Sequence, residues 1–186
     1  TTLPDPLARV QAVHVRPGSR AAAQRVVPEE TPVALVYDGT THAVMMATPA
    51  DIEDFAIGFS LTEGIVTGTG QIASCEIVTH DKGVEARIWL AEDRGDALAA
   101  RRRTLAGPVG CGLCGIDSLD QAVRALPDRH GAGPVLSVEE IAGATESLRG
   151  WQPLHDQSRA VHAAGFLMPG KGVVLAETRK AAESLT

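Results

Sequence analysis

Two of the chain's three cysteines, Cys111 and Cys114, stand in the stretch Gly-Pro-Val-Gly-Cys-Gly-Leu-Cys-Gly-Ile-Asp-Ser at 107–118. Gly110, Gly112 and Gly115 surround them. Glycines free the backbone for tight or left-handed turns and leave neighbouring sulfurs unscreened. A helical pattern follows at once, with Leu119, Ala122, Val123 and Leu126 at i, i+3, i+4 and i+7. Ser118 with Gln121 reads as its capping box, and Asp117 with Asp120 as another register of the same cap. Both thiols are therefore expected just ahead of a helix N-terminus, where partial positive charge favours thiolate, the nucleophilic form.

Other chemistries use the same spacing. A structural zinc site needs about four ligands, but Cys75 stands alone and His14, His42, His80, His130, His155 and His162 are scattered singly. A zinc deaminase pairs its CxxC with an upstream H-x-E, and no histidine here has Glu two positions later. A buried, inert thiol pair is the plain alternative. Thiol chemistry, metal binding and inert packing all stay open at this point, with thiol chemistry favoured.

The elements that would position these sulfurs belong to an ordinary globular chain of 186 residues, 44% hydrophobic and 22% charged. A net charge of −6 argues against broad, sequence-independent nucleic-acid binding. No apolar stretch approaches the ~20 residues of a membrane helix, and the start lacks a basic-then-apolar signal pattern. Three cysteines, an odd number, suit a reducing compartment, so a cytoplasmic location is expected.

Residues 1–28 read as an extended N-terminal arm with at most one short strand, around Val10–Val15. Val33–Tyr37, the Asp38-Gly39 turn and His42–Ala47 read as a hairpin. Thr48 as N-cap and Pro49 at the first helical position open a helix with Ile52, Phe55, Ala56 and Phe59 on one face, closed by Gly64. Asp51, Glu53 and Asp54 are explained as charges suited to its start, and Met45 and Met46 as strand packing. Ile72–Thr79 and Val84–Leu90 are two further strands, with Cys75 a core position. A short helix over 93–103, a Gly/Pro loop over 128–135 and a helix over Val138–Leu148, capped by Ser137 and Glu140, come next. Ala160–Leu167 and Val173–Ala176 flank Pro169-Gly170-Lys171-Gly172 as a last hairpin. The sum is an α+β fold, a mixed sheet with helices.

Two stretches in combination resemble the formate dehydrogenase accessory sulfurtransferases, the FdhD family. They are TPVALVYDGTTHAVMMATPADIEDFAIGFSLTEGIV at 31–66 and GCGLCG at 110–115 with the helix after it. Ala160-Val161-His162-Ala163-Ala164 is a weaker third. The resemblance covers most of 28 to about 176 and implies a cytidine-deaminase-like core without catalytic zinc, behind an N-terminal hairpin and helix subdomain. On that basis residues 29–186 form the sulfurtransferase domain, incomplete at its C-terminal end. Family members continue there with an acidic-glycine-arginine-histidine-asparagine stretch, where this chain has Glu177-Thr178-Arg179-Lys180 and runs to Thr186.

The resemblance further implies transfer of sulfane sulfur from a cysteine desulfurase to the bis-molybdopterin guanine dinucleotide form of the molybdenum cofactor, needed by formate dehydrogenase. The cofactor is then a transient ligand, with nothing permanently bound and no metal held by the protein. Cys111 matches the family's catalytic position as persulfide carrier, with Cys114 assisting. Gly110, Gly112, Gly115, His162 and Arg103 become cofactor-binding candidates. Two plainer readings stand beside these: Arg101–Arg103 as a solvated helix end, and His162 as a structural histidine. The implied partners are the desulfurase, the dehydrogenase and the cofactor, with no nucleic acid or membrane and a homodimer left open. The competing reading is a cofactor-binding chaperone or docking module whose CxxC is structural.

Overall fold

The computed structural model describes residues 2–91, 131 and 133–179. In order these carry β1 (Leu7–Arg16), β2 (Ser19–Pro28), β3 (Thr31–Tyr37), β4 (Thr40–Ala47), α1 (Ile52–Thr62), a 3-10 turn (Thr69–Gln71), β5 (Ile72–His80) and β6 (Gly83–Leu90). After them come α2 (Val138–Arg149), α3 (Pro153–Ser158), β7 (His162–Met168) and β8 (Gly172–Arg179). They fall into two compact units, residues 2–4 with 30–91 and residues 5–29 with the described part of 131–179. Strands and helices in both make this an α+β protein, as the hairpin-and-helix alternation of the sequence predicts. The helices expected over 93–103 and around Leu119–Leu126, and residues 128–130 of the expected Gly/Pro loop, lie outside the described residues.

The first unit is a four-stranded sheet in the order β4-β3-β6-β5. Two antiparallel hairpins lie side by side, joined through a parallel β3–β6 pair in which Val33 faces Val84 and Tyr37 faces Ile88. The Asp38-Gly39 turn closes the first hairpin with φ of 47° and 80°, a left-handed pair that Asp and Gly accept more readily than other residues. Strand alternation puts Val33, Leu35 and Tyr37 on one face with Ala43 and Met45 of β4 and Val84, Ala86 and Ile88 of β6. Helix α1 adds Ile52, Phe55, Ala56 and Phe59 at helical spacing to the same core. Full burial of each large member of that stripe is worth about 1.5–3 kcal/mol. Within the core the Tyr37 hydroxyl donates to Ser60 Oγ at 2.7 Å, while Ser60 donates to the Ala56 carbonyl at 2.7 Å. Two polar side chains are buried there at little cost because each bond is made.

The start of α1 differs from the expectation. Asp51, not Thr48, is the N-cap, and it is left-handed at φ 49°. Thr48 is buried, and its carbonyl accepts from the Ala50 amide at 2.8 Å, so a tight turn uses the residues assigned to the first helical turn. Glu53 and Asp54 do lie in that first turn, and Gly64 closes the helix at φ 69°, its amide donating to the Leu61 carbonyl.

In the second unit, residues 7–28 are a ten-by-ten-residue antiparallel hairpin, which corrects the expectation of at most one short strand in an extended segment. Pro17-Gly18 is its two-residue turn, with Gly18 at φ 77°. Strands β7 and β8 form a second hairpin, against which α2 packs, and α3 packs on β2. The capping box of α2 is present as expected, Ser137 Oγ accepting from the Glu140 amide at 3.1 Å and Glu140 Oε2 from the Ser137 amide at 2.8 Å. The other carboxylate oxygen of Glu140 accepts from the Gly170 amide at 2.7 Å, fastening the helix start to the β7–β8 turn.

Those amides, Gly170 first and then Ser137, hold the Glu140 carboxyl below its usual range. A depressed folded value stabilises the fold above the ordinary carboxylate range, and the effect is lost as pH falls through the folded value. Replacing Glu140 with Gln should therefore lower the unfolding midpoint at pH 7. The gap from wild type should close on acidification, as thermal melts between pH 7 and pH 3 would register.

Candidate functional site

Of the seven site residues expected from the sequence, Cys111, Cys114, Gly110, Gly112, Gly115 and Arg103 lie outside the described residues. His162 lies within them. It opens β7, exposed, in register with Arg179 of β8. Its approach is held by three features. Helix α3 begins with Pro153 in its first turn and ends at Arg159, which takes the left-handed conformation at φ 57°. His155 Nδ1–H then donates to the Val161 carbonyl at 2.9 Å, tying the helix to the residue just before His162. Val161 itself is buried, and Ser158 Oγ both donates to the Leu154 carbonyl at 2.7 Å and accepts from the Ala160 amide at 3.3 Å. An exposed imidazole on a strand whose entry is anchored in this way is open to a ligand.

Helix α3 and its His155 contact escaped the sequence reading. Six residues are too few for an amphipathic period to show. The one local signal was Pro153, suited to the first turn of a helix after the Trp151-Gln152 pair.

Cys75 is the third thiol and the one that is described. It stands in β5 opposite Ile88, partly buried against the core, as its strand pattern predicts. Burial, and secondarily the nearby Glu53 charge, push its thiol up to about 11. Near neutral pH this leaves it less thiolate than an ordinary cysteine and makes it a poor nucleophile. Iodoacetamide at pH 7.5 should label Cys75 at least about tenfold more slowly than an exposed thiol, because the smaller thiolate fraction outweighs the greater nucleophilicity of a more basic thiolate. Peptide mapping of the alkylated native protein would read this directly.

Among the described residues no three His, Cys, Asp or Glu side chains gather into a metal-binding group. Among them, too, no helix is long and apolar enough to cross a membrane.

The architecture defines a class first: a mixed-sheet α+β protein, similar in fold to a solved structure from Desulfotalea psychrophila described as a formate dehydrogenase accessory protein. That similarity has a TM-score of 0.59 at 18% identity, over 94% of this chain and 61% of the other. The sequence narrows the class. Residues 28–178 match the model of the FdhD/NarQ family, and the chain belongs to that family. It is 48% identical over 166 residues to the sulfur carrier protein FdhD of Agrobacterium fabrum, covering 89% of this chain and 61% of that protein. It is 50% identical over 151 residues to the protein of the same name from Brucella abortus, covering 81% and 56%. The chain thus spans about three fifths of the length of the curated relatives it matches.

Proposed function

We propose that this chain carries sulfur in the maturation of formate dehydrogenase, with Cys111 as the atom that receives it. The observation that carries the reading is the family match over 28–178, a span that includes the GCGLCG loop, to relatives called sulfur carrier proteins. The burial that pushes the Cys75 thiol up to about 11 fits this reading, since it makes Cys75 a poor nucleophile.

In the proposed first step the Cys111 thiolate attacks the outer sulfur of a persulfide on a cysteine desulfurase. The S–S bond of the donor breaks, the donor cysteine leaves as thiolate, and Cys111 becomes a persulfide. Such exchange depends on thiolate fraction and access; the glycines beside Cys111, and the helix start that the sequence pattern predicts after them, would suit both. For delivery to the bis-molybdopterin guanine dinucleotide cofactor, the substrate of the transfer, the Cys114 thiolate attacks the inner sulfur of the Cys111 persulfide, the S–S bond breaks and the outer sulfur leaves as hydrosulfide for the cofactor. The two electrons come from the thiolates, and the Cys111–Cys114 disulfide that forms is reopened by a thiol reductant. His162, and Arg103 in the same reading, serve to bind the anionic cofactor or move a proton. A cytidine-deaminase-like core and a cytoplasmic site of action belong to the same proposal.

Incubating the protein with a desulfurase and cysteine should add the mass of one sulfur atom to the peptide containing Cys111. Prior alkylation should abolish this. A docking module with a structural CxxC would take up no sulfur, and alkylation would leave its binding to the dehydrogenase intact. That pair of results would overturn the proposal.

A further inference from the structure

Within the second unit a cleft of about 370 Å³ opens between the β1–β2 hairpin and the end of α3. Residues directly opposite in an antiparallel pair share a face, and the register pairs Ala12 with Ala23, His14 with Ala21, and Val10 with Arg25. Ala12, Ala23, His14 and Arg25 therefore stand on one face of the hairpin, and all four line the cleft. The two alanines make a floor with no side chain beyond Cβ, which is what leaves the space open. His14 and Arg25 rise beside that floor. From the other wall come Gln157 and Arg159, the latter placed by the left-handed turn that ends α3.

The charge here runs against the molecule. The chain carries −6 overall, yet among the described residues the charged side chains lining this cleft are Arg25 and Arg159, with His14 beside them and no carboxylate. Among the described residues Arg159 has a single weak pairing, 3.8 Å to Asp156, whose carboxylate is half-exposed and also 3.8 Å from Arg149. At such distance and exposure the pair holds the guanidinium loosely, so a better acceptor can displace it. Two guanidiniums present planar forks of donors matched to an oxyanion. The Gln157 amide adds a neutral donor, although it donates to the Pro153 carbonyl at 3.2 Å in the free protein.

We propose that this cleft binds a small phosphorylated ligand, its phosphoryl group between Arg25 and Arg159 and its remainder over the alanine floor. Two fixed cations suit a dianion better than a single carboxylate, and the volume admits more than a bare ion. The site uses none of the residues assigned to sulfur transfer, so it stands or falls separately.

Titration calorimetry of the whole chain at low ionic strength, with inorganic pyrophosphate as probe and citrate in parallel, tests the assignment. Pyrophosphate should bind saturably, one per chain, and more tightly than citrate. Arg25→Gln and Arg159→Gln should each weaken it about tenfold or more, while Lys82→Gln, in the other unit, should leave it unchanged. Circular dichroism melts of each variant establish that the fold is intact, and the more stable of the two arginine variants decides if the other unfolds. Absence of saturable binding overturns the proposal. So does equal weakening by Lys82→Gln, which would mark diffuse charge attraction, or a preference for citrate, which would remove the phosphoryl assignment.

Discussion

Cys111→Ser is expected to abolish sulfur loading and to leave a co-expressed formate dehydrogenase without activity, a loss of at least a hundredfold on the scale of removed covalent nucleophiles. A hydroxyl near its ordinary pKa is almost wholly protonated at neutral pH. It is therefore a poor attacking group on a persulfide, and the bond it would form, an S–O bond, does not carry sulfane sulfur onward. Cys114→Ser should behave differently. Loading at Cys111 needs only one thiolate, so the added sulfur should still appear by mass spectrometry while delivery slows. A Cys114→Ser protein that neither loads nor activates would exchange the roles of the two cysteines. A Cys111→Ser protein that still loads and activates would remove Cys111 from the chemistry. Cys75→Ala, with its thiol already held protonated by burial, should load and deliver as wild type does. The three variants together separate a reactive position from a general dependence on cysteine.

What the sequence made legible follows from how local each signal is. The Asp38-Gly39 turn, the Ser137–Glu140 capping box and the glycines of the last hairpin are decided within four residues of chain, and each stands where the pattern puts it. The apolar stripe Ile52, Phe55, Ala56, Phe59 announced its helix for the same reason. The start of that helix was misplaced because Thr48-Pro49 satisfies every local rule for a cap. The sheet edge instead holds Thr48 buried and spends the next residues on a turn.

The β1–β2 hairpin was missed for the opposite reason. Val10, Val13 and Val15 are all largely exposed, so neither face carries the alternation that reveals a half-buried strand. Pro17-Gly18 is the turn that pairs the two strands. The candidate site divides along the same line. A CxxC among glycines is visible as letters, and His162 was marked by resemblance alone. The anchoring of His162 by His155 and Val161 depends on a six-residue helix with no periodic signature.

Among the described residues the parallel β3–β6 contact is the one strand pairing that local patterns do not specify, and Gly83→Ala interrogates it. Gly83 closes the β5–β6 hairpin opposite His80, and its neighbour Val84 pairs with Val33, which brings Gly83 alongside Pro32. Its φ is 152°, and a Cβ there would lie 2.4 Å from the Pro32 carbonyl oxygen and 3.2 Å from Pro32 Cβ. The obstacle is backbone, which cannot swing aside as a side chain does. Either β6 retreats from β3, loosening Val84, Ala86 and Ile88 in the core, or Ala is held in a conformation L-residues avoid. Strain and overpacking each cost about 1–3 kcal/mol, so the expected loss is about 3 kcal/mol or more. Gly70→Ala is the matched control, with nothing within 4 Å of its Cβ, and should stay within about 0.5 kcal/mol of wild type.

The chain has two tryptophans, so in a Trp151→Phe background Trp89 on β6 is the sole indole and its fluorescence follows this sheet in urea. A Gly83→Ala midpoint equal to that of Gly70→Ala would mean that β6 does not enter the sheet against Pro32. The β4-β3-β6-β5 order would then fall with it, because the Val33–Val84 pair beside Pro32 begins the parallel ladder that joins the two hairpins.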